Sequence, residues 1–175
     1  MTVTAEGAAL IMERSACSLE RLLHDRPLDP LFAVRIMAQI ASALDYLHKR
    51  GLIYNALVPG NVVLTGYVVN QSSMPLAKLS NFSHCRSDRN GAARSKDIAD
   101  FAALLYMLMT KESEKMVSAN TDPPSLAELD VSCQAAASLI RDAWGGSLSA
   151  AELVKRLHLC ELHLSRKDNV SKFRL

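Results

Sequence analysis

The sequence predicts a mainly α-helical domain, and two long segments with contrasting apolar patterns support this prediction. From Leu31 to Lys49, apolar residues recur at helical spacing, which is typical of a helix with one buried face. From Asp97 to Met109, the run "DIADFAALLYMLM" is apolar nearly all round, which predicts a helix buried on most sides. Only short β candidates lie between them, so we expect two or three short strand pairs and no large sheet.

The residues before the first long helix predict a strand, a short helix and a sharp break. Residues 8–12, "AALIM", form a compact apolar run that is typical of a buried strand. Ser18 is placed to cap a helix over "SLERLLHD", because its hydroxyl can accept a backbone N–H. Asp29 and Pro30 favour the start of the long helix as N-cap and first residue, and Gly51 favours its end.

The β candidates follow that helix as "LIY", "NVVLT" and "LAKLS", and "GYVVNQSSMP" supplies turn residues between the last two. Residues 111–126 are polar and Pro-rich, which predicts a loop. Two further helices are expected at about 132–144 and 149–164. Ser149 and Glu152 form a capping box at the start of the second one.

Length and composition bound the class of protein. The chain has 175 residues, 49% of them hydrophobic and 22% charged, which suits one globular domain. The net charge of +2 is scattered, so we expect neither nucleic acid nor a membrane as partner. The four cysteines are widely spaced, which favours a reducing, cytoplasmic setting. We expect residues 1–7 and the basic residues 165–175 to be tails.

In this order the elements resemble the C-terminal lobe (C-lobe) of a protein kinase. "IASALDYLHKRGLIYNALVPGNVVL" is similar to the long helix that leads into the catalytic loop, and "AKLSNFS" stands where Asp-Phe-Gly is expected. "SKDIADFAALLYMLMT" is similar to the central helix, and "SLIRDAW" and "SAAELVKRL" to the closing helices. The resemblance implies a C-lobe domain over 8–164, with the hinge at about 13–17, the catalytic loop at 52–64, the Asp-Phe-Gly region at 78–83 and the central helix at 97–110.

Within the kinases, the sequence looks closest to the tyrosine-kinase-like group. Tyr54 stands at the His position of the catalytic loop, and a long connection precedes "AKLSNFS". Both features are similar to the leucine-rich-repeat (Roco-type) kinases.

The resemblance implies that the catalytic loop has lost its charged groups. Phosphoryl transfer needs a carboxylate beside the attacking hydroxyl and positive charge near the transferred phosphate. Ala56 stands in place of that Asp, and Val58 in place of the loop Lys. Asn55 replaces the Arg that follows the Tyr54 position, and Asn61 keeps the position of a metal ligand.

The Asp-Phe-Gly region has changed in the same direction. Asn81 stands in place of the metal-binding Asp, Phe82 is retained, and Ser83 replaces Gly. Asn61 and Asn81 are therefore vestigial metal positions, and we expect neither Mg²⁺ nor ATP, the cofactors of the family, to bind tightly. The resemblance gives the nucleotide hinge to Met12, Glu13, Arg14 and Ser15, and it gives structural roles to Asp97 and Trp144.

We expect this sequence to lack the upper lobe of a kinase. Only seven residues precede the apolar run at 8–12, so we expect no Gly-rich loop and no phosphate-binding Lys. Sixteen positions separate Asn81 from Asp97, which is short for an activation segment. An unpaired lower lobe should expose apolar side chains, and Leu64, Leu79 and Phe82 are candidates.

From this resemblance we expect a catalytically inactive kinase-like domain (pseudokinase), not an enzyme, that serves as a scaffold or regulator in signalling. Its partner would be a protein bound on the exposed cleft. One alternative is the C-terminal fragment of an ATP-dependent protein kinase whose upper lobe is encoded elsewhere. Another is a helical interaction domain unrelated to kinases.

Overall fold

The computed structural model describes residues 2–4, 7–9, 13–25, 28–66, 74–88, 91, 93–110, 126 and 134–172. It is mostly helical, with a few short antiparallel strands, and this confirms the predicted fold class. The helices are α1 (Leu19–Asp25), α2 (Pro30–Lys49), α3 (Arg94–Thr110), α4 (Gln134–Trp144) and α5 (Ala150–Lys172). The strands are β1 (Thr2–Thr4), β2 (Gly7–Ala9), β3 (Cys17–Ser18), β4 (Leu52–Ile53), β5 (Val62–Thr65), β6 (Leu76–Leu79) and β7 (Arg86–Ser87). Two 3₁₀ turns lie at Pro59–Asn61 and Phe82–His84.

The strands form three small antiparallel sheets: β1 with β2, β3 with β5 and β6, and β4 with β7. In the three-stranded sheet, Val62 lies opposite Leu79 and Val63 opposite Lys78. Successive side chains of a strand point to opposite faces, so one face of this sheet packs on the core. Leu64 and Leu79 lie on that inner face, 0% and 7% exposed. Our expectation that these two leucines are exposed is therefore wrong.

Helix α2 begins where the sequence predicts it. The Asp29 carboxylate accepts the backbone N–H of Phe32 at 3.1 Å, and Pro30 occupies the first helical position. The helix buries one face against the core, with Ile36, Ile40 and Leu44 almost fully inaccessible to solvent. At its end the chain turns through Gly51, whose φ of 68° lies in the left-handed region that glycine adopts without strain.

Replacing Asp29 by Ala removes the side-chain acceptor from the start of α2. We expect the free energy of unfolding to fall by about 1 kcal/mol, because one backbone N–H of the first turn loses its partner. Urea unfolding followed by circular dichroism measures this loss. Asp29→Ser keeps an oxygen that can cap the helix and should cost less than the Ala variant. Equal losses for the two variants would show that capping is not the role of Asp29.

Helix α3 is the central pillar of the domain. Every residue from Phe101 to Leu108 is buried, which agrees with the apolar pattern all round this helix. The helix begins at Arg94, three residues before the predicted start at Asp97. It packs against α2 on one side and α4 on another, and α5 lies along α2.

Several predicted boundaries differ from the observed ones. Helix α5 continues to Lys172, so most of the predicted tail 165–175 is helical. Arg, Lys and Ser in this segment tolerate a helix, and no Gly or Pro interrupts it. Residues 2–4 of the predicted N-terminal tail pair with β2, which covers only part of the predicted strand 8–12. The rest of that strand, all of 67–73, nearly all of 111–126 and the start of the helix predicted at 132 lie outside the described residues.

In the part of the chain that the structure describes, no helix is both long enough and apolar enough to cross a membrane.

Candidate functional site

The loop after β4 is held to the buried helix α3 by one carboxylate. Asp97 Oδ2 accepts the backbone N–H of Tyr54 at 2.8 Å, and Oδ1 accepts the backbone N–H of Asn55 at 2.7 Å. The ring Nε2 of His48 lies 2.9 Å from the same Oδ2. Asp97 is 0% exposed and His48 is 6% exposed, so the bonds to His48 and Tyr54 are buried and the bond to Asn55 is part-buried.

This network fixes where the loop can lie. A buried carboxylate without partners would cost several kcal/mol, and three hydrogen bonds to Asp97 offset that cost. Because α3 is the most buried helix, the backbone of Tyr54 and Asn55 is tied to the rigid centre of the domain. We call the set His48, Tyr54, Asn55 and Asp97 the loop anchor. Asp97, to which the resemblance gives a structural role, thus bonds to the backbone of a loop that lies 42 and 43 residues earlier in the chain.

His48 is the member of the loop anchor that sequence reasoning missed. It lies in the last turn of α2, on the stripe that buries Leu44 and Leu47. A histidine on a core-facing stripe needs a polar partner inside the protein. That position in the stripe was the signal in the sequence.

Tyr54 links the loop to the segment after β6. Its side chain is 0% exposed, and its hydroxyl donates a hydrogen bond to the carbonyl oxygen of Ser80. Its ring meets Phe82 edge to face, with the ring centroids 5.6 Å apart. Burial, helped by the nearby Asp97 charge, raises the pKa of Tyr54 to about 12. Tyr54 therefore acts as a neutral donor that joins the two segments at any ordinary pH.

Two asparagines occupy the left-handed region of the backbone. Asn55 has a φ of 58° and Asn81 a φ of 51°. Among residues with a Cβ, Asn tolerates this conformation best, because its short polar side chain can bond locally. Our sequence interpretation treated both residues only as lost charges. The structure gives them a conformational role as well, since each holds a backbone conformation that most residues with a Cβ disfavour.

Replacing Asn55 by Gly and by Val tests the conformational role of this residue. Gly adopts a positive φ without strain, so we expect Asn55→Gly to leave the free energy of unfolding nearly unchanged. Asn55→Val should lower it by about 1–2 kcal/mol, because a β-branched residue is strained at this φ. Chemical denaturation of both variants measures the difference. If Asn55→Val is as stable as the wild type, the left-handed backbone at this position is wrong.

A small cluster of amides and a hydroxyl surrounds the positions that the resemblance gives to metal ligands. Asn81 Nδ2 donates to Asn61 Oδ1 at 3.2 Å, and Ser83 Oγ donates to Asn81 Oδ1 at 2.7 Å. Asn61 Nδ2 donates to the carbonyl oxygen of Ala56 at 2.9 Å. Each amide is thus used within the protein, and the cluster contains no carboxylate. Mg²⁺ sites in proteins rely on carboxylate oxygens, so this donor set does not fit Mg²⁺.

The predicted hinge, Val58 and Phe82 lie at the surface, whereas Ala56 is half-buried against the core. Met12 falls outside the described residues, whereas Glu13, Arg14 and Ser15 are exposed and not in a helix or strand. Glu13 forms an ion pair with Lys78, which joins the hinge segment to β6. Val58, at 36% exposed, and Phe82, at 42% exposed, also face water.

The outer face of the three-stranded sheet is open beside this loop. We call it the cleft face, and it comprises Val63 and Thr65 of β5 with Leu76 and Lys78 of β6. Their strand neighbours point into the core, and Leu76 is 51% exposed. The cleft face and the exposed Phe82 are thus the apolar surface near the loop, in place of the predicted Leu64 and Leu79.

Trp144 and the Cys and His side chains outside this loop have structural surroundings. Trp144 is 8% exposed and belongs to the main hydrophobic core. Burial raises the pKa of the Cys85 thiol, which keeps it protonated and poorly nucleophilic. His163 bonds to a backbone carbonyl of its own helix. Among the described residues, no group of three or more His, Cys, Asp or Glu side chains could hold a metal ion.

Comparison with known proteins supports a relationship to protein kinases. No protein-family model matches the chain. Over 59 residues the chain is 41% identical to "Mitogen-activated protein kinase mpkC" of Aspergillus oryzae, a match that covers 34% of this chain and 17% of that protein. Proteins of the same name from Emericella nidulans and Aspergillus terreus match over 59 residues at 37% and 36% identity, covering 14% and 16% of those proteins. The matched segment is thus less than a fifth of each relative.

These relatives correct one prediction and leave another without support. We expected the chain not to be an enzyme. That conclusion is wrong, because the relatives are named as kinases and so short a match does not show loss of catalysis. The same short match does not establish an activity either. The relatives are mitogen-activated protein kinases, so they lend no support to the assignment to the tyrosine-kinase-like group.

Proposed function

We propose that this chain is the lower-lobe portion of a protein kinase, whose phosphate-binding upper lobe is encoded outside these 175 residues. The observation that carries this proposal is the loop anchor, in which Asp97 of the buried helix holds the backbone of Tyr54 and Asn55. The kinase relatives support the same conclusion from sequence. In the whole protein, this portion contributes the loop frame, the hinge segment and the floor of a nucleotide cleft.

The cleft face suits the floor of such a site. Val63 offers an apolar surface in the middle of β5, and the hinge segment lies beside it through the Glu13–Lys78 ion pair. The groups that hold phosphates would come from the upper lobe, since the amide cluster does not fit Mg²⁺. ATP binding by the whole protein would then depend little on Mg²⁺. The isolated 175-residue chain should not bind ATP tightly, because it supplies one side of the cleft only.

Sequencing the transcript upstream of the Met1 codon tests this proposal first. We expect an open frame that encodes a Gly-rich loop and a phosphate-binding Lys. Calorimetric titration with ATP, with Mg²⁺ and with EDTA, then compares the longer product with the 175-residue chain. The longer product should bind ATP in both buffers. A transcript without such a coding segment, or equal affinity of the two proteins for ATP, would refute the proposal.

A second candidate function is that of a scaffold in signalling, with a protein partner on the cleft face. The observation that favours it is the exposure of two large apolar side chains, Leu76 on the cleft face at 51% and Phe82 beside Tyr54 at 42%. Apolar side chains grouped at a surface mark interaction sites more often than isolated ones do. On this proposal a partner covers the cleft face whether or not an upper lobe is attached.

Proximity labelling in cells tests the scaffold proposal with matched variants. Leu76→Asp and Phe82→Asp place a charge in the contact and should remove the labelled partners. Leu162→Asp, at a site 43% exposed on α5, is the control and should keep them. The same partners labelled by all three variants would exclude the cleft face as the interface.

Two finer assignments remain part of the proposal. Tyr54 at the His position favours the leucine-rich-repeat (Roco-type) kinases within the tyrosine-kinase-like group. The cytoplasm is the proposed location, because among the described cysteines Cys17, Cys85 and Cys160 are free thiols, as is usual in a reducing compartment.

A further inference from the structure

The outer edge of the three-stranded sheet is bonded to one side chain of α2. Strand β6 is the last in the order β3, β5, β6, so its pairing with β5 uses one of its two edges. On the other edge, Gln39 Oε1 accepts the backbone N–H of Ala77 at 2.8 Å, and Gln39 Nε2 donates to the carbonyl oxygen of Pro75 at 3.1 Å. We call these two bonds the edge bracket.

The edge bracket takes the place of bonds that a neighbouring strand would make. In an antiparallel sheet, residues two apart on a strand direct their backbone N–H and C=O groups to the same edge, and Pro75 and Ala77 are two apart. Both bonds are part-buried, because α2 packs against β6. Backbone polar groups removed from water need a partner, and Gln39 supplies one to a donor and one to an acceptor.

The type of residue at position 39 matters as much as its place on α2. A primary amide carries a donor and an acceptor side by side, which matches the C=O and N–H groups of a strand edge. A carboxylate only accepts hydrogen bonds, and an aliphatic side chain makes none. Ile36 and Ala43, one turn before and one turn after Gln39, are apolar and pack in the core. Packing alone would therefore favour another apolar residue at this position.

Strand β6 carries part of the cleft face between two points of attachment. Near its start it is bonded to Gln39 through the edge bracket. Just beyond its end, the backbone N–H of Ser80 donates to the carbonyl oxygen of Asn61 at 2.8 Å. The outward side chains Leu76 and Lys78 lie between these attachments, so their position depends on both.

We propose that Gln39 is a positioning residue of the cleft face. Its amide fixes where β6 lies on α2, and this sets the position of Leu76 and Lys78 at the floor of the cleft. The use of that floor for a nucleotide rests on the proposed function. The action of Gln39 on β6 does not rest on it and is measurable in the 175-residue chain.

Amide hydrogen exchange and NMR of Gln39→Leu in the 175-residue chain test this proposal. We expect the protection factor of the Ala77 amide to fall by about tenfold or more, because its acceptor is lost. The amide signals of Lys78 and Ser80 should shift, because β6 moves, while protection of the core amides of α3 changes far less. Gln134→Leu makes the same chemical change at the exposed start of α4 and should leave β6 unaltered.

Gln39→Glu adds a readout that a role in packing alone would not change. At neutral pH the carboxylate still accepts the N–H of Ala77 but sets its second oxygen against the carbonyl oxygen of Pro75, which displaces β6. A glutamic acid has an ordinary pKa of about 4.3, so at a pH of about 4 the carboxyl is largely protonated and its O–H can donate to Pro75. The signals of Lys78 and Ser80 should then return towards those of the wild type at the same pH, which Gln39→Leu should not show.

Three results would overturn the role of Gln39: wild-type protection of Ala77 in a folded Gln39→Leu protein, a response confined to Ala77 while Lys78 and Ser80 keep their signals, or no recovery of Gln39→Glu in acid. In the longer product, Gln39→Leu should also weaken ATP binding, and equal affinity would exclude an effect on the cleft. A wild-type longer product that does not bind ATP refutes the proposed function, whereas the exchange data decide the role of Gln39 in either case.

Discussion

Asp97→Asn lowers the free energy of unfolding by about 3–5 kcal/mol, because it replaces a buried carboxylate that holds three hydrogen bonds. The Asn amide offers one acceptor oxygen in place of two, so the N–H of Tyr54 and the N–H of Asn55 cannot both keep a partner. Its NH₂ group also places a donor against an N–H group, where the carboxylate placed an acceptor. Each buried N–H without a partner costs about 1–3 kcal/mol. Urea denaturation of the purified variant measures the total loss.

The matched control for Asp97→Asn lies one turn along the same helix. Asp100 pairs with Lys96 near the surface, and its side chain is 17% exposed. Burial raises the pKa of Asp100 despite that pair, so its charged form is not strongly favoured by the fold. Asp100→Asn should therefore cost less than about 1 kcal/mol, as for a surface ion pair. If the two variants lose the same stability, Asp97 is not the special anchor that the hydrogen bonds indicate.

Phe101→Ala has the second large expected effect, a loss of about 3–5 kcal/mol in the free energy of unfolding. Phe101 is 0% exposed and lies in the middle of α3, where neighbouring residues are buried on all sides. Because the packing around it is tight, the protein cannot close the cavity that a missing ring leaves. A domain of this size is stable by only about 5–15 kcal/mol, so this one change removes a large share.

Thermal and urea unfolding of Phe101→Ala should be compared with Leu162→Ala. Leu162 is 43% exposed on α5, so its truncation should change the free energy of unfolding by no more than about 0.5 kcal/mol. A small loss for Phe101→Ala, close to that of Leu162→Ala, would mean that α3 is not the packed centre of the domain.

The main helices could be predicted from the sequence because their apolar patterns are strong. The stripe from Val34 to Leu47 and the apolar run after Asp97 each fit a helix and not a strand. The observed ranges of α2 and α3 lie close to the predicted ones. The three β candidates also became strands, since each is a short apolar run between turn residues. The partner strands β3 and β7 have two residues each, and such short strands depend on contacts with distant residues.

The loop anchor could be predicted only in part. Asp97 was identifiable through the resemblance, but its bond to His48 depends on the crossing of α2 and α3, which no local pattern specifies. The left-handed backbone at Asn55 and Asn81 is likewise set by tertiary contacts, although Asn is a weak signal for it. The burial of Leu64 and Leu79 was missed because the strand register decides which face points inward.

The end of helix α5 was predicted too early, for a different reason. Its residues beyond 164 are polar and basic, and polarity was interpreted as a solvated tail. A helix continues through such residues when nothing breaks it, because Lys and Arg are favourable helix formers.

Amide hydrogen exchange at Tyr54 and Asn55 tests most directly the claim that Asp97 ties this loop to the buried helix. If it does, both amides exchange only when the domain opens, with protection close to that of the core amides of α3. In Asp97→Asn, measured where that variant is still folded, protection at these two amides should fall far more than protection within α3. Fast exchange of Tyr54 and Asn55 in the wild-type protein, at rates typical of an exposed loop, would contradict the account.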